Sequence, residues 1–177
     1  MLAQAEHAPG ASILITWDEG VWHAVEQELI RQVAQLSRCE LTVQSLENFG
    51  SLILTRDANE ACDITNQLAP EHLHISVEDP HALVDKTRNA GAIFMGHYSP
   101  VAVGDYAAGP SHVLPTGGTA RWASGLSAND FLRSNSIIEY TENGLREIAP
   151  DVTLLADKEQ LTAHRASVDI RFAGPPK

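Results

Sequence analysis

The run Ser12-Ile13-Leu14-Ile15-Thr16 decides the fold class of this chain, because it has the pattern of a buried strand and a helix follows it directly. Asp18 or Glu19 opens that helix, which we predict from about Val21 to Leu36 with apolar side chains along one face. A strand joined to a helix of this length is the repeating unit of parallel sheets. The segment therefore predicts an α/β architecture.

The same alternation of strand and helix continues along the chain. Three further strands are predicted, separated by two helices: strand 50–54, helix 57–68, strand 73–76, helix 80–90 and strand 92–96. We therefore predict a Rossmann-like, mostly parallel sheet, flanked by helices on both faces, within a first domain of residues 1–128. Ligands of such sheets bind at the carboxyl ends of the strands, and a long loop leaves one of these ends at Gly96.

A small helical C-terminal tail, residues 129–177, follows this domain. Its predicted pieces are a helix at 129–135, an extended segment at 137–140, helices at 143–148 and 159–167, and a frayed end at 174–177. After Pro150 the tail has too few large apolar residues for a core of its own. We expect it to dock on its own domain or on another chain.

Composition narrows the class of function. The chain has 177 residues, 44% of them hydrophobic, and a formal net charge of -11, which argues against binding to nucleic acid or to an anionic membrane. The longest aliphatic run is far too short to span a bilayer, and the N-terminus lacks the pattern of a secretory signal. Cys39 and Cys62 form no CxxC pair, so we expect two reduced thiols in a cytoplasmic protein.

The loop Gly104-Asp105-Tyr106-Ala107-Ala108-Gly109-Pro110-Ser111-His112 carries chemistry that neither a core nor a turn requires. Glycines let the backbone approach a ligand closely, and the loop brings a carboxylate and an imidazole near each other in sequence. Disorder is the alternative, but Tyr106 and Trp122 are predicted to anchor the loop. A loop of this length inside a compact domain is usually functional.

Two groups of polar residues are candidates for a site. Gln4 and His7 are three apart, a workable ligand spacing if that segment is helical; with Asp105 and His164 they would give an N/O site suited to zinc or a similar ion. From spacing alone, solvated polar residues are the more economical interpretation of that set.

The Glu71-His72 pair follows Pro70 and precedes a strand. Two adjacent bases of different strength suit a reaction with two proton transfers, and a surface turn is the equally simple alternative.

Several runs closely resemble the histidinol dehydrogenase family, in register over nearly the whole chain. They are the loop just quoted within residues 99–120, Ala69-Pro70-Glu71-His72-Leu73, Ala90-Gly91-Ala92-Ile93-Phe94-Met95-Gly96, and residues 2–7, 45–50 and 161–165. The resemblance implies the oxidation of L-histidinol to L-histidine with two NAD, through a bound aldehyde. It implies zinc as an ion that orients the substrate without changing its redox state.

The resemblance also implies roles for single residues. Gln4, His7, Asp105 and His164 match the zinc ligands of the family. His72 matches the base that takes the hydroxyl proton, and Glu71 the base that activates water. His112 and Glu159 match substrate contacts, so the substrate is implied to lie against these two, His72 and the four zinc ligands.

The resemblance further implies an intertwined homodimer, in which the tail brings Glu159 and His164 into the partner's site. Family members are more than twice as long, and most of their nicotinamide-binding half is expected before Met1, as is a substrate-binding serine. No GxGxxG occurs here, so NAD binding by this chain alone is not expected. Residues 1–128 would then be an incomplete Rossmann-like, zinc- and substrate-binding domain.

Three functions remain open on the sequence. The first is the catalytic part of a histidinol dehydrogenase, as a fragment or as one half of a split enzyme with a separate N-terminal cofactor half. The second is a zinc- and imidazole-binding module without redox activity. The third, which ignores the resemblance, is a zinc hydrolase with Glu71 as its base.

Overall fold

The computed structural model describes residues 1–173, so the predicted frayed end at 174–177 lies outside the described residues. The helices are α1 (Leu2–Ala5), α2 (Glu19–Val33), α3 (Cys39–Phe49), α4 (Ala58–Leu68), α5 (His81–Val84), α6 (Ala102–Tyr106), α7 (Glu142–Lys158) and α8 (Thr162–Asp169). The strands are β1 (Ser12–Thr16), β2 (Gly50–Leu54), β3 (His72–Ile75) and β4 (Ala92–Met95). The chain divides into two compact units, Met1–Leu132 and the residues from Arg133 onward.

The first unit is a mixed α/β structure of short parallel strands flanked by helices, which confirms the predicted class. β1 pairs with β2 in parallel, and β3 pairs with β4 in parallel. In the part of the chain that the structure describes, these are two separate two-stranded sheets rather than the single sheet expected. Alternation of strand and helix predicts that successive strands run parallel, but it does not specify that β2 and β3 are neighbours.

Capping side chains fix the starts of α2 and α4. Asp18 accepts a hydrogen bond from the backbone N–H of Val21 at the start of α2, and Asp57 accepts from Asn59 and Glu60 at the start of α4. α4 then ends at Leu68, because the residue before Pro70 is disfavoured in the helical conformation. The predicted helix at 57–68 is therefore confirmed.

The helix predicted at 80–90 is wrong in length, since α5 spans only His81–Val84. The side chain of Asn66 on α4 explains the early end. Its carbonyl oxygen accepts from the backbone N–H groups of Arg88 at 2.7 Å and Asn89 at 3.2 Å, and its amide donates to the carbonyl of Lys86 at 2.8 Å. The backbone groups of Lys86, Arg88 and Asn89 are hydrogen-bonded to Asn66 of α4, and α5 does not continue through them.

α3 was not predicted at all, because its buried face carries hydroxyl groups rather than a periodic apolar stripe. Thr42 is 0% exposed and Ser45 2%. The Thr42 hydroxyl donates to the carbonyl of Arg38 and the Ser45 hydroxyl to that of Gly10, so both are satisfied in the interior.

The sheets are less covered than expected of parallel strands. Large apolar side chains remain exposed on three of the four strands, namely Ile13, Leu54 and Ile93. The expected loop anchors are also exposed, with Tyr106 at 87% and Trp122 at 80% of their full accessible area. Helices flank the strands as predicted, but part of the apolar surface of the strands stays exposed among the described residues. No helix among residues 1–173 is both long enough and apolar enough to cross a membrane.

The second unit is a helical hairpin of α7 and α8. α7 continues through Pro150, beyond the predicted helix at 143–148, and the helix expected at 159–167 is found as α8, so the hairpin has one long and one shorter helix. A proline inside a helix removes one hydrogen bond, yet α7 stays continuous at Pro150 and packs on α8. No strand forms at 137–140, and 129–135 is reduced to a 3₁₀ turn at Ala128–Phe131.

Candidate active site

The Glu71-His72 pair lies at the connection between α4 and β3. Ala69, fully buried, takes the left-handed conformation at φ 49° and redirects the chain, and His72 is the first residue of β3. Both side chains of the pair are half-buried. Glu71 immediately precedes β3 and His72 begins it, so both residues lie at the amino end of this strand.

Backbone hydrogen bonds fix this segment against the start of β4. The N–H of Gly91 donates to the carbonyl of Pro70 at 2.9 Å, and that of Ala92 donates to the carbonyl of Glu71 at 2.8 Å. A Cβ atom at Gly91 would lie 2.6 Å from the Glu71 carbonyl oxygen and 3.0 Å from Cδ of Pro115. Only glycine fits beside Glu71 without displacing backbone.

The imidazole of His72 packs on the ring of Phe94, with ring centroids 6.0 Å apart and a tilt of 38° between the planes. In the β3–β4 register His74 pairs with Phe94, so the phenyl ring reaches diagonally toward His72 on the same face. An apolar ring does not compete for the imidazole nitrogens, which stay available to a ligand or a proton.

The pair therefore lies at the amino end of β3, whereas we expected ligands at the carboxyl ends. The carboxyl end holds other histidines: a His74 ring nitrogen bonds the carbonyl oxygen of Gly96 at 2.8 Å, and His97 bonds the Ser76 hydroxyl. The long loop passes from the carboxyl end of the strand pair to its amino end. It leaves β4 at Gly96 and, at Pro115, lies close to Gly91 at the amino end.

Gln4 and His7 lie in and just after α1. Because α1 ends at Ala5, His7 follows in a turn, and its N–H donates to the carbonyl of Gln4. Gly10 packs so tightly against this carbonyl that a side chain there would collide with it. Gly10 is held in turn by Ser45 of α3, whose hydroxyl accepts from the Gly10 N–H at 2.9 Å and donates to its carbonyl at 3.0 Å.

The other predicted ligands and substrate contacts are exposed. Asp105 lies in α6 and His112 in the loop after it, both in the first unit, whereas Glu159 and His164 belong to the hairpin. Among residues 1–173, no three His, Cys, Asp or Glu side chains lie close enough together to hold a metal ion. The ligand set stays a prediction.

Glu159 and His164 flank a tight turn between α7 and α8. Gln160 takes the left-handed conformation at φ 61°, its N–H donates to the carbonyl of Asp157 at 3.0 Å, and that of Leu161 donates to the carbonyl of Ala156 at 2.8 Å. This pattern is the Schellman motif that ends many helices. Glu159 is thus the C-cap residue of α7, and His164 lies in the first turn of α8.

Two ion pairs hold the same turn between α7 and α8. The Arg165 guanidinium bonds Asp157 of α7 at 2.5 Å and Asp169 of α8 at 3.3 Å. The two carboxylates raise the pKa of Arg165 above its ordinary value, with the hydrogen bond to Asp157 contributing most. Arg165 thus ties α8, which carries His164, to α7, whose C-cap is Glu159.

Sequence reasoning missed the residues that support the site, which are Ser45, Phe94, Gly104 and Arg165. Two of them carry a usable signal. Gly104 lies in a helical turn where alanine is ordinarily preferred, and Ser45 occupies a buried helix position without an apolar stripe. Phe94 reads as a core residue of a strand, and only the three-dimensional register reveals its neighbours.

Comparison with known proteins decides the family. A model of the histidinol dehydrogenase family matches residues 1–172. This chain belongs to the histidinol dehydrogenase family. The match includes every residue assigned to the candidate site and both units of the structure.

Individual relatives agree with the family model. The histidinol dehydrogenase of Rhodopirellula baltica is 56% identical over 171 residues, which are 97% of this chain and 37% of that protein. That of Gloeobacter violaceus is 48% identical over 97% of this chain and 39% of its own length.

A solved structure gives the same result. The crystal structure of histidinol dehydrogenase from Elizabethkingia anophelis superposes with a TM-score of 0.90 at 34% identity, over 97% of this chain and 40% of that one. The chain thus spans about two fifths of the length of the histidinol dehydrogenases that it matches.

Proposed function

We propose that this chain supplies the metal- and substrate-binding part of a zinc-dependent, NAD-linked enzyme of the cytoplasm. That enzyme oxidises L-histidinol to L-histidine by way of histidinal, a reaction of histidine biosynthesis. The observation that carries the proposal is the family match over residues 1–172, which contains the whole candidate site.

The proposed metal ligands have the donor chemistry that zinc requires. Gln4 offers an amide oxygen, His7 and His164 offer imidazole nitrogens, and Asp105 offers a carboxylate, a mixed N/O set with one negative charge. Zinc held there would supply a Lewis acid that orients and polarises the substrate. The clamp of Gly10 by Ser45 supports the proposal, because it fixes the turn from which Gln4 and His7 project.

The two bases divide two oxidations between them. In the first, the imidazole of His72 would take the hydroxyl proton as the alcohol carbon gives up hydride, leaving the aldehyde. Next, Glu71 would take one proton from water as the water oxygen bonds to the aldehyde carbon and the carbonyl π electrons move to the carbonyl oxygen, leaving an anionic hydrate. Loss of a second hydride from that hydrate would give the acid, and NAD, when bound, would supply the acceptor for each hydride. Two adjacent bases fixed by the β3–β4 backbone suit this division.

The remaining contacts come from the loop and the hairpin. His112 and Glu159 would bind the polar groups of the substrate, alongside His72 and the metal ligands. We propose an intertwined homodimer in which Glu159 and His164 act in the partner's site. NAD would be held mainly by a region that the relatives have and this chain does not match, in the same chain or in a separate half.

A chimera tests the proposal. This chain replaces the matching 171-residue segment of the Rhodopirellula baltica protein, and NADH formation is followed with L-histidinol and zinc. We expect turnover that a chelator abolishes and that zinc restores. His72→Asn and Glu71→Gln should each lower kcat about a hundredfold or more while zinc stays bound. Retained turnover in both variants would rule out the assigned bases.

Two controls make the result specific. His74→Asn removes an exposed imidazole from the same face of β3, two residues from the half-buried His72, and should leave kcat nearly unchanged. For the metal, Asp105→Asn should weaken zinc binding about tenfold or more, whereas Asp63→Asn on the exposed side of α4 should not. Equal zinc affinity in both would contradict the ligand set.

A further inference from the structure

We propose that Phe94 is a positioning residue that holds the ring of His72 in a fixed relation to α6, the helix that carries Asp105. The inference rests on the proposed function for the roles of His72 and Asp105. It goes beyond that function in assigning the coupling between the two to one phenyl ring.

The Phe94 ring makes contacts with two parts of the candidate site. It packs on the imidazole of His72 with centroids 6.0 Å apart. The same ring meets α6, where a Cβ atom at Gly104 would lie 2.6 Å from Cζ and 2.9 Å from Cε1 of Phe94. One phenyl ring thus contacts both the imidazole and the backbone of α6.

The identity of residue 104 supports this interpretation. Gly104 is helical and has no positive φ, so its backbone conformation suits any residue. Alanine is favoured over glycine at such positions, by about 1 kcal/mol in a helix interior. What excludes a side chain here is therefore the Phe94 ring rather than the backbone, and the missing Cβ lets α6 approach β4 closely.

The consequence for the site follows from the stiffness of the contact. Phe94 is fixed in β4, whose backbone pairs with β3 at His74 and at His72. A displacement of α6 then pushes on the ring, and the ring pushes on the imidazole, since packed interiors transmit such strain. Phe94 thereby sets the position of the base relative to the helix of the proposed metal ligand.

A cycle of four proteins tests the coupling without metal, cofactor or turnover. The unmodified chain, Gly104→Ala, Phe94→Leu and the double variant are compared by the nuclear magnetic resonance signals of the His72 ring, assigned with His72→Asn. We expect Gly104→Ala to shift these signals when Phe94 is present and to leave them nearly unchanged in the Phe94→Leu background. An equal shift in both backgrounds, or no shift in either, overturns the proposal.

Folding failure is also informative. If Gly104→Ala does not fold and the double variant does, the collision with Phe94 is demonstrated. If neither folds while Phe94→Leu does, the collision lies elsewhere and the proposal is wrong. Ile93→Leu is the matched control, since Ile93 neighbours Phe94 on the opposite face of β4 and should leave the His72 signals in place.

Turnover in the chimera separates positioning from stability. Phe94→Leu should lower kcat about tenfold or more, with KM for L-histidinol changed by less than about threefold, because the base is misplaced while the substrate contacts remain. A loss confined to KM would overturn the positioning role. If the unmodified chimera forms no NADH, the proposed function fails, and the resonance cycle still decides whether Phe94 couples His72 to α6.

Discussion

The β3–β4 region and the α7–α8 hairpin each place two residues of the candidate site, and they hold them by different means. Glu71 and His72 are fixed by backbone hydrogen bonds and by a close approach at Gly91 that leaves no room for a methyl group. Glu159 and His164 are fixed by a helix cap and by the charges around Arg165. One region depends on shape, and the other depends on local conformation and charge.

This difference predicts how each region responds to change. Close packing of backbone against backbone cannot relax, so added volume should be costly in the β3–β4 region and salt should matter little. The hairpin is open to solvent, with Arg165 and Asp157 exposed at 49% and 45% of their side-chain area. Charge pairs of this kind contribute little each and weaken as salt increases.

The largest effect is expected from Gly91→Ala. The added methyl group would lie 2.6 Å from the carbonyl oxygen of Glu71, which already accepts from Ala92, so the strand pair must separate locally. We expect a loss of about 1–3 kcal/mol in the free energy of unfolding. Urea denaturation of the chain, followed by circular dichroism, measures it.

Gly144→Ala is the matched control in the hairpin. Its Cβ would lie at an ordinary 3.4 Å from the Thr141 hydroxyl oxygen, within a helix where alanine is preferred to glycine. We expect a gain of up to about 1 kcal/mol. Equal losses from both substitutions would contradict the contrast between the two regions.

The second prediction concerns the cap of α7. Gln160 occupies the left-handed position of the Schellman motif, at φ 61°, where glycine carries no steric penalty. Gln160→Gly should therefore stabilise the chain by about 1 kcal/mol and raise its thermal midpoint. Gln160→Ala keeps the penalty and should give no such gain, so a gain from alanine would show that the cap conformation is not responsible.

The third prediction sharpens the contrast by salt. Arg165→Gln removes both ion pairs of the α7–α8 turn, and the lowered thermal midpoint should approach that of the unmodified chain as sodium chloride is added. In the chimera its effect on zinc affinity should stay below about fivefold. Arg165→Lys keeps the charge and should recover part of the loss. A loss that salt does not change would show that Arg165 acts by packing.

Sequence reasoning reached the elements of the first unit that carry local signals. Strands β1 and β2 and the Asp57-capped helix follow from apolar runs and a cap, and they occur as predicted. The early end of α5 depends on the Asn66 side chain twenty residues or more away in sequence, so no local pattern could show it. Long-range polar contacts of this kind are invisible to periodicity.

The candidate site divides in the same way. The adjacency of Glu71 and His72 suggests two bases, and their roles stay a prediction. The resemblance to the family is confirmed over residues 1–172. The zinc set is only weakly indicated by spacing and depends mainly on the resemblance, because its members are scattered from Gln4 to His164. The contact of Phe94 with His72 arises from strand register and from the approach of α6, and neither is written in the spacing of residues.

The smallest effect on stability is expected from the charge of Asp57, measured as the pH is varied. Asp57 caps α4, the helix that precedes the Glu71-His72 pair. Its carboxylate accepts from the N–H groups of Glu60 at 2.9 Å and Asn59 at 2.8 Å, and these bonds, that from Glu60 foremost, hold its pKa below the ordinary value. The unfolded chain therefore binds the proton more readily than the folded chain does.

It follows that ionised Asp57 stabilises the fold at every pH above its unfolded-state pKa of about 4, and that this contribution disappears as the pH falls through the lower, folded-state pKa. Asp57→Asn should accordingly be less stable than the unmodified chain near neutral pH, and the difference should shrink in acid. Asp63→Asn removes a carboxylate from the same helix without touching the cap, and it corrects for the change in net charge. Thermal midpoints of the three proteins across the acid range decide the matter, and a difference that grows in acid would show that Asp57 does not cap α4 as an anion.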